Sequence, residues 1–310
     1  MSGRASEYLR ALGDVFLPRR CPVCGRELLR HEGRLCLPCA ADLPLTHLWL
    51  LPRNPMADRF NARLLEEAEG EEVGNARQPV AGPGTICRRC EKEVVTSDAN
   101  PASVPSSVAG PAPEIAPATN PGETCDNPPG SCRERYVYAA ALFYYRSEAG
   151  YSAITKALKY HADFGMGRHF ATELGRKLAS SEAFRDVTAV VPVPLHPWRR
   201  WRRGYNQAAV IARCVAAELG VPVRKSLLRR RRYTRTQTRL TREQKERNVA
   251  GAFAPTRRAR KHPPVGEGAH LLLIDDVYTT GATLRACYRV LHALFPSARI
   301  SIATLAVVQE

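Results

Sequence analysis

The sequence predicts an α/β fold in which a mostly parallel sheet is flanked by helices, with a small cysteine-rich module in front of it. In the second half of the chain, short apolar runs alternate with segments whose apolar residues recur at helical spacing. One run, residues 271–274, is continuously apolar, as a central parallel strand that is buried on both faces requires. Near the start of the chain, four cysteines form two closely spaced pairs.

The alternating elements run from residue 136 to the end of the chain. Strands are predicted over residues 137–145, 187–193, 271–274 and 300–308, and helices over residues 149–161, 167–179, 206–219 and 283–294. The third of these helices carries Val210, Ile211 and Val215 on one face and is followed by Gly220, a residue typical of helix ends. Such alternation predicts parallel strands that are joined by helical crossovers.

Composition divides the chain into three predicted regions. Residues 1–46 combine a short amphipathic helix with the cysteine module, and residues 136–310 form the α/β domain. Residues 47–135 are predicted to be mostly irregular, with a second, looser set of cysteines. Within them, residues 66–72 are acidic, which is typical of a solvated linker, and residues 97–130 are rich in Pro, Ala, Ser and Asn, which is typical of disorder.

The chain of 310 residues is strongly basic, and its excess charge is concentrated in one segment. It has 46 Lys and Arg residues against 30 Asp and Glu residues, a formal net charge of +16. Between His196 and His262 there are 20 Lys or Arg residues and three Glu residues. Such a cationic segment predicts a polyanionic partner, and both phosphate-rich small molecules and nucleic acid qualify.

The composition also predicts a soluble protein of the reducing cytoplasm. Hydrophobic residues make up 44% of the chain, enough for a sizeable core. No apolar stretch approaches the roughly 18 residues of a membrane span, and the first residues hold no long apolar segment of the secretory type. Cysteines in CxxC pairs favour metal binding over a disulfide framework.

The first two cysteine pairs have the spacing of a structural zinc site. Cys21, Cys24, Cys36 and Cys39 form the pattern C-x2-C-x11-C-x2-C, and Gly25 suits the tight turn after the first pair. Four thiolates satisfy the tetrahedral preference of Zn²⁺ and leave no open position, so the ion would be structural. The alternative is four thiols without a metal, free or oxidised.

A second set of cysteines leaves the number of metal ions open. Its members are Cys87, Cys90, Cys125 and Cys132. The last pair is C-x6-C rather than C-x2-C, and 34 residues separate it from the first pair, so both a second zinc site and none fit the spacing. The pairs of the two sets can also interleave between two metals. Cys214 and Cys287 fall on predicted helices, where a buried apolar role is typical.

Residues 271–283 have the pattern of an anion-binding loop between a strand and a helix. A buried strand is followed by Asp275 and Asp276, and then, at the start of a helix, by Thr279, Thr280, Gly281, Ala282 and Thr283. Unpaired N–H groups and the positive end of the helix dipole favour a phosphate there, and glycine allows its close approach. Two carboxylates at the end of a strand can accept hydrogen bonds from vicinal hydroxyls or bind Mg²⁺. The alternative is an ordinary Asp/Thr turn and helix cap.

This segment resembles the PRPP-binding motif of type I phosphoribosyltransferases, which has four apolar residues, two acids, two apolar residues and Thr-Thr-Gly-x-Thr. Tyr278 departs from the usual aliphatic residue. The resemblance implies a type I phosphoribosyltransferase-like fold. It also implies that Asp275 and Asp276 hold the ribose hydroxyls of PRPP, that residues 279–283 cradle its 5′-phosphate, and that Mg²⁺ accompanies the ligand.

Further motifs occur in order along the same domain. They are Pro-Val-Pro-Leu at residues 192–195, Arg-Gly-Tyr-Asn-Gln at 203–207, Arg-Thr-Gln at 235–237 and Arg-Asn-Val-Ala-Gly-Ala-Phe at 247–253. Together with the phosphate loop, they resemble the ComF family from about residue 136 to the end of the chain. ComF proteins are linked to the uptake of single-stranded DNA in competent bacteria, and they often carry a double zinc ribbon.

The basic segment supplies candidate contacts for the other side of such a ligand. The loop after Val193, together with Arg203, is a candidate second anchor that would hold the pyrophosphate of PRPP. The polar, poorly periodic stretch that follows resembles the flexible lid of phosphoribosyltransferases, and Gln237 and Arg247 are candidate lid contacts. The alternative for Arg247 is that it braces the turn before Phe253.

The same segment contains candidates for contacts with single-stranded nucleic acid. Trp198 and Trp201 lie among four arginines, a combination in which rings stack on bases and guanidinium groups bind phosphates. A further candidate is a run of four arginines, Arg229, Arg230, Arg231 and Arg232. The alternative is that both tryptophans pack on the sheet and that the arginines are solvated.

Three functions are consistent with these motifs. The first is a phosphoribosyltransferase that uses PRPP with Mg²⁺ and has structural Zn²⁺. The second is a competence factor that binds single-stranded DNA, keeps the phosphate site for binding or regulation, and has partners in the competence machinery. The third is a PRPP-sensing regulator without turnover. The sequence identifies neither an acceptor nor a general base.

Overall fold

The structure is a computed structural model that describes two long stretches of the chain, with short gaps in the second. The described residues are 19–29, 31–74, 136–145, 150–156, 164–232, 249, 251–261, 266 and 268–309. The chain divides into two compact units, Met1–Phe60 with Val137–Glu310, and Asn61–Tyr136. The amphipathic helix that is expected before residue 19 lies outside the described residues. No helix in the described part of the chain combines the length and the apolarity that crossing a membrane requires.

The helices and strands follow one another in an α/β order. They are α1 (Leu37–Ala41), a 3₁₀ turn (Leu48–Leu50), α2 (Pro55–Gly74), β1 (Ala139–Tyr145), α3 (Ser152–Lys156), α4 (Phe164–Ala179), β2 (Ala189–Pro192), α5 (Pro197–Arg203), α6 (Gln207–Leu219), β3 (Leu228–Arg230), β4 (Phe253–Pro255), α7 (Arg257–Lys261), β5 (His270–Tyr278), α8 (Ala282–Leu294) and β6 (Arg299–Val308).

A parallel sheet of four strands, in the order β1-β6-β5-β2, forms the centre of the larger unit. The central strand β5 pairs with β2 up to Pro192 opposite Ile274, and with β6 up to Tyr278 opposite Val307. Leu271–Ile274 are all fully buried, which is why this strand is continuously apolar. β3 and β4 form a separate antiparallel pair.

Helices cover both faces of this sheet. α4 and α6 pack against each other and form a common core with Leu272 and Ile274 of β5. Because side chains alternate along a strand, Leu271 and Leu273 point to the opposite face, where α8 contacts β5, β6 and the β3–β4 pair. The predicted α/β fold class is therefore confirmed.

Two predicted elements differ in length from the observed ones. β5 continues past Ile274 to Tyr278, so Asp275 and Asp276 belong to the strand rather than to the loop. Part of the helix that is predicted before residue 161 is α3, and residues 157–163 lie outside the described residues. No sequence pattern predicts α5, because this helix is too short to show a period. His196 caps its start, and Gly204 ends it.

The expectation of mostly irregular chain is wrong for residues 55–74, which form α2. The side chain of Asn54 begins this helix, because its Oδ1 accepts a hydrogen bond from the N–H of Ala57 at 3.0 Å. Pro55 occupies the first helical position, where a proline fits. Phe60 is fully buried, so tertiary packing stabilises a segment whose charges resemble those of a linker.

The cysteine-rich module belongs to the same compact unit as the sheet. The N–H of Tyr144 donates to the carbonyl of Pro44 at 2.8 Å, which joins the chain of the module to β1, the edge strand. A Cβ atom on Gly150 would lie 2.2 Å from the carbonyl oxygen of Val23. The first pair of cysteines therefore lies in a turn that approaches the domain too closely for any side chain at Gly150.

A buried polar network lies at the N-terminal edge of the sheet. His270 is 2% exposed, with Nδ1 at 2.8 Å from Asp186 Oδ1 and Nε2 at 2.8 Å from Ser301 Oγ. The side chain of Arg299 also bonds to Asp186. Burial lowers the pKa of His270 below its usual value, the hydrogen bond to Asp186 opposes this shift, and the charge of Arg299 reinforces it.

We predict that this network makes stability depend on pH through His270. Below about pH 6.5 the unfolded chain binds a proton at this imidazole before the folded chain does, so the free energy of unfolding falls as the pH falls, by at most about 1.4 kcal/mol per pH unit. Urea unfolding at a series of pH values should show this loss in the natural protein and less of it in His270→Gln. His31→Gln changes an exposed histidine and should keep the natural dependence. If the free energy of unfolding depends on pH equally in the two variants, His270 is not the source of this dependence.

Candidate functional site

The loop between β5 and α8 lies at the C-terminal edge of the sheet. β5 ends at Tyr278, α8 begins at Ala282, and Gly281 caps the helix with φ at 71°. This left-handed conformation costs a residue with a Cβ atom about 1 kcal/mol or more, so a glycine is favoured here. The chain therefore turns from strand to helix within a few residues.

The start of α8 presents backbone N–H groups that can receive an anion. The N-cap residue of this helix, Gly281, has no side chain that could occupy them. Within the described part of the chain, the N–H groups of residues 280–283 have no hydrogen-bond acceptor. The side chains of Thr280 and Thr283 are half-buried beside them, and Thr279 is exposed. Free N–H groups at a helix start carry the positive end of the helix dipole, so this turn favours a phosphate.

A buried arginine fixes the orientation of this turn. The side chain of Arg285 is 1% exposed, and its Nη1 donates to the carbonyl of Thr280 at 2.6 Å. In a trans peptide the C=O and the following N–H point in opposite directions. Because Arg285 holds the carbonyl of Thr280, the N–H of Gly281 points away from the guanidinium of Arg285.

Tyr278, the residue that departs from the usual aliphatic pattern, fills the space beneath the glycine. Its side chain is fully buried, and a Cβ atom on Gly281 would lie 2.8 Å from its hydroxyl oxygen. The guanidinium of Arg59 lies 5.9 Å from the centre of its ring. The aromatic ring therefore supports the loop from the protein side and leaves no room for a larger residue at position 281.

Asp275 and Asp276 are both half-buried at the end of β5. Successive side chains of a strand point to opposite faces, so the two carboxylates flank the edge of the sheet rather than lie side by side. The charge of Asp275 reinforces the burial that raises the pKa of Cys287 on α8. It also opposes the burial that lowers the pKa of Arg230 on β3. Asp275 therefore faces α8 and the β3–β4 pair.

The loop after β2 lies at the same edge of the sheet. The N–H of Val193 donates to the carbonyl of Ile274 at 2.9 Å, directly before Asp275. Asn206 donates from Nδ2 to the carbonyl of Val193 at 3.0 Å, which returns the chain to this edge at the start of α6. The half-buried Arg203, at the end of α5, belongs to the loop that these two bonds close.

The two tryptophans of α5 do not pack on the sheet. Trp201 is 81% exposed and Trp198 is 45% exposed, with the guanidinium of Arg202 at 5.7 Å from the ring centre of Trp198. The run of four arginines begins in β3. Its exposed members are Arg229, Arg231 and Arg232, and Arg230 is half-buried with its guanidinium 5.2 Å from the ring centre of Phe253.

The cysteines of the first two pairs converge on one point. The four sulfur atoms lie within 4.8 Å of one another, and those of Cys24 and Cys36 are 3.5 Å apart. A tetrahedral Zn²⁺ with bonds of about 2.3 Å holds sulfur atoms about 3.8 Å apart, so small shifts close this cluster on one ion. Gly25 has φ at 76°, as the turn after the first pair requires.

The surroundings of the cluster favour a thiolate. Burial acts to raise the pKa of Cys21, but hydrogen bonds from the N–H groups of Cys36, Cys24 and Val23 outweigh it and lower the pKa to about 6. A thiolate is the form that binds metals. Burial raises the pKa of Cys39, so without a metal the four thiols differ in charge.

A buried carboxylate ties the two cysteine pairs together. Glu32 is 4% exposed and accepts hydrogen bonds from the N–H groups of Leu29 and Leu37, at 2.7 and 2.8 Å, and from Arg26 at 2.9 Å. The N–H group of Leu37 is the main cause of the lowered pKa of Glu32. Leu37 follows the third cysteine directly, so this carboxylate fixes the second pair relative to the first.

Some predicted site residues lie outside the described part of the chain. They are Gln237, Arg247, Cys87, Cys90, Cys125 and Cys132.

Three residues that shape these sites were not predicted from the sequence, namely Arg285, Glu32 and the helix cap Asn54. The Asn-Pro pair at the start of α2 is a signal that could have revealed the cap, whereas Arg285 is an arginine among apolar residues and only its burial indicates its role.

Comparisons with known proteins agree with this geometry. Residues 206–309 match the family described as Phosphoribosyl transferase domain. The chain is 34% identical over 146 residues to Competence protein F of Haemophilus influenzae, a match that covers 46% of this chain and 62% of that protein. It is 38% identical over 95 residues to DNA utilization protein YhgH of Salmonella typhi, covering 31% and 39%. It is 34% identical over 116 residues to Competence protein ComFC of Bacillus subtilis, covering 37% and 43%. The chain thus spans less than two thirds of the length of these relatives.

The parallel sheet, the loop after β5 and the family match define a protein with a phosphoribosyltransferase-type α/β domain. Its relatives in sequence bear the names of competence and DNA utilization proteins. The chain is similar in sequence to the ComF family, as the relatives named Competence protein F and Competence protein ComFC show. The resemblance that the ordered motifs predicted is therefore confirmed.

Proposed function

We propose that the α/β domain binds PRPP together with Mg²⁺ at the loop of residues 275–283, and that the protein is cytoplasmic and is linked to DNA uptake. One observation carries the proposal. A row of N–H groups that have no acceptor among the described residues lies at the start of α8, and the central strand before it carries two half-buried carboxylates near its end. A sugar that bears a phosphate needs both kinds of group at this spacing.

In this proposal the turn receives the 5′-phosphate. The N–H groups of residues 280–283 donate to its oxygens, and the hydroxyls of Thr279, Thr280 and Thr283 add donors. Arg285 and Tyr278 hold these groups in place before the ligand arrives, as their contacts with Thr280 and Gly281 support. The site therefore needs no rearrangement to receive the charge.

The carboxylates receive the sugar and the metal. Asp275 and Asp276 flank the edge of the sheet, so a ribose above that edge can donate its 2′- and 3′-hydroxyls to both. Carboxylate oxygens are also ligands that Mg²⁺ prefers, usually through one or two acids and the substrate phosphates. The ion would neutralise charge on the pyrophosphate. The loop after β2, with Arg203, would hold the other end of that group, and Gln237 and Arg247 would close over it.

Transfer, in this proposal, breaks the bond between C1′ and the pyrophosphate oxygen, and a nucleophile attacks C1′. The protein would contribute positioning of the ribose and stabilisation of the leaving charge. No side chain of the described site has the position of a general base for an acceptor. PRPP binding without turnover would make the protein a PRPP-sensing regulator.

We predict that Gly281→Ala weakens binding of PRPP with Mg²⁺ by at least about tenfold, because the new methyl group collides with Tyr278 and the turn loses its left-handed conformation. Asp276→Asn should weaken it to a similar extent. Isothermal titration calorimetry measures the affinity, and pyrophosphate release measures turnover. Gly268→Ala is the matched control, since Gly268 also has a positive φ, of 69°, but faces open space. Equal affinities for PRPP in the two glycine variants would contradict the proposed loop.

A second function, binding of single-stranded DNA, is favoured by the exposure of Trp201 among arginines. A ring that is 81% exposed contributes little to packing, whereas bases stack well on it. The relatives named Competence protein F and DNA utilization protein YhgH support a role with DNA. Both functions can reside in one protein, because Trp201 on α5 and the phosphate loop of residues 275–283 belong to different elements. Partners in the competence machinery would bring the DNA to α5.

We predict that Trp201→Ala weakens binding of an oligothymidylate by roughly tenfold, because one stacked base is lost. Fluorescence anisotropy at two salt concentrations measures the affinity, which should fall steeply with salt. Leu51→Ala removes another exposed apolar side chain and should bind as the natural protein does. Asp276→Asn should also bind normally. If Trp201→Ala binds the oligonucleotide unchanged, α5 is not the contact surface.

We also propose that Cys21, Cys24, Cys36 and Cys39 hold a structural Zn²⁺. Their convergence and the low pKa of Cys21 support this assignment. Cys87, Cys90, Cys125 and Cys132 would hold a second ion, which would complete a double zinc ribbon. Such ions would stabilise segments that are too small for cores of their own.

We predict that Cys36→Ser removes one equivalent of zinc and lowers the melting temperature, because three thiolates hold the ion less tightly. Plasma mass spectrometry counts the metal and calorimetry follows unfolding. Cys214→Ser should retain the full zinc content, since Cys214 lies on α6, apart from the cluster. If Cys87→Ser also contains one equivalent of zinc less than the natural protein, the second set of cysteines holds a second ion. An unchanged zinc content in Cys36→Ser would exclude a zinc site at the first four cysteines.

A further inference from the structure

Helix α1 is apolar throughout, yet none of its residues is buried. It consists of leucine, proline, cysteine and two alanines and carries no charged side chain. Leu37 is 61% exposed, and Pro38, Ala40 and Ala41 are exposed as well. A helix that is apolar on all sides is normally covered by protein, because water solvates its surface poorly. α1 therefore presents an apolar surface that the described residues leave open.

Leu29 extends this surface. Its side chain is 54% exposed. The carboxylate of Glu32 accepts hydrogen bonds from the N–H groups of both Leu29 and Leu37, at 2.7 and 2.8 Å. Two N–H groups that share one carboxylate have nitrogen atoms within about 8 Å of each other. Glu32 therefore holds Leu29 beside the start of α1, and we call Leu29 and the exposed residues of α1 the α1 patch.

The chain enters its described part beside this patch. Arg19 is the first described residue. Its carbonyl accepts a hydrogen bond from the N–H of Leu28 at 2.7 Å, and its Nη2 donates to the carbonyl of Leu29 at 3.2 Å. The residues before Arg19 are therefore tethered next to the α1 patch. A segment that is tethered so closely has an effective concentration of roughly millimolar there, which favours it over a separate molecule.

This tethered segment contains an apolar stripe that needs a surface to pack on. Apolar residues recur at helical spacing, and charged residues fall between them at positions 7, 10 and 14. Pro18 would end such a helix directly before Arg19. An isolated helix shorter than about 12–15 residues is marginal in water, so a helix here depends on packing of its apolar face. The members of the stripe are Tyr8, Leu9, Leu12, Val15 and Phe16.

We propose that residues 8–16 form a helix whose apolar face packs on the α1 patch. The docked segment covers Leu29 and Leu37 and gives the cysteine module a small apolar core of its own. The proposal depends on neither PRPP, DNA nor zinc, because it rests on exposed apolar residues and on the path of the chain. The alternative occupant of the patch is a second copy of this chain.

Hydrogen exchange of the full chain, followed by mass spectrometry, tests the docking. Residues 8–16 should exchange at least about tenfold more slowly than an unfolded chain does, since a helix of this length is protected only when it is packed. The double variant Leu29→Ser with Leu37→Ser should remove most of this protection, because it makes the patch polar. Exchange of residues 8–16 at the unfolded rate in the natural protein would overturn the proposal.

The matched control is Leu50→Ser with Leu51→Ser. These leucines are 61% and 54% exposed, the same values as for Leu37 and Leu29, but they belong to the 3₁₀ turn and its C-cap. The control should keep the protection of residues 8–16. Equal losses in the two double variants would overturn the proposal, because they would indicate only a general loosening. Loss in the control alone would place the segment on the 3₁₀ turn and would overturn it as well.

A photo-cross-link identifies the occupant without making the patch polar. p-Benzoylphenylalanine in place of Leu37 keeps a large apolar side chain there and, on irradiation, bonds to groups that touch it. Links to residues 8–16 of the same chain are expected, and Leu9→Ser with Leu12→Ser should lower their yield at least about fivefold, since the segment then lacks its apolar face. Links between two chains, seen as a dimer on a denaturing gel, would identify a second copy and overturn the proposal. Links to any other segment, or no links, would also overturn it.

Discussion

The pairing of β5 between β2 and β6 is the constraint on which the rest of the molecule depends. Because the three strands are parallel, their C-terminal ends share one edge of the sheet. The two acids, the start of α8 and the loop after β2 meet there, although about 80 residues separate the two loops. The register fixes their relative height, with Pro192 opposite Ile274 and Asp275 opposite Thr304. A slip by one residue would turn every side chain of β5 to the other face.

Buried side chains determine what this edge can bind. Arg285 holds the carbonyl of Thr280, and Tyr278 fills the space under Gly281, so the N–H groups of the turn keep one orientation. A fixed set of donors stabilises an anion better than a mobile one, because no reorganisation accompanies binding. The same rigidity explains why the turn needs a glycine, whose backbone can adopt φ at 71° between a strand and a helix.

The excess positive charge of the chain is distributed over several surfaces near this edge. The exposed tryptophans of α5, the arginines that begin in β3 and the cavity that Arg200, Lys225 and Arg229 line beside β2 all belong to the stretch of sequence from the end of β2 to the start of β5. Clusters of like charge lower the stability of a compact state, so a polyanionic ligand is the simplest physical reason for them. The cysteine module, which joins β1 through the contact of Pro44 with Tyr144, adds a separate, structural element.

The sequence by itself determined the fold class, the four strands of the parallel sheet, the helices α4, α6 and α8, the turn at Gly281 and the four convergent cysteines. Each of these depends on a local pattern: an apolar run, a helical spacing, a glycine or a pair of cysteines. Only the tertiary structure decided that residues 55–74 form a helix, that Arg285 is buried under the turn, and that cationic side chains from α5, α6 and β3 line one cavity. These features depend on contacts between residues distant in the chain, because burial and charge proximity are set by packing rather than by local spacing.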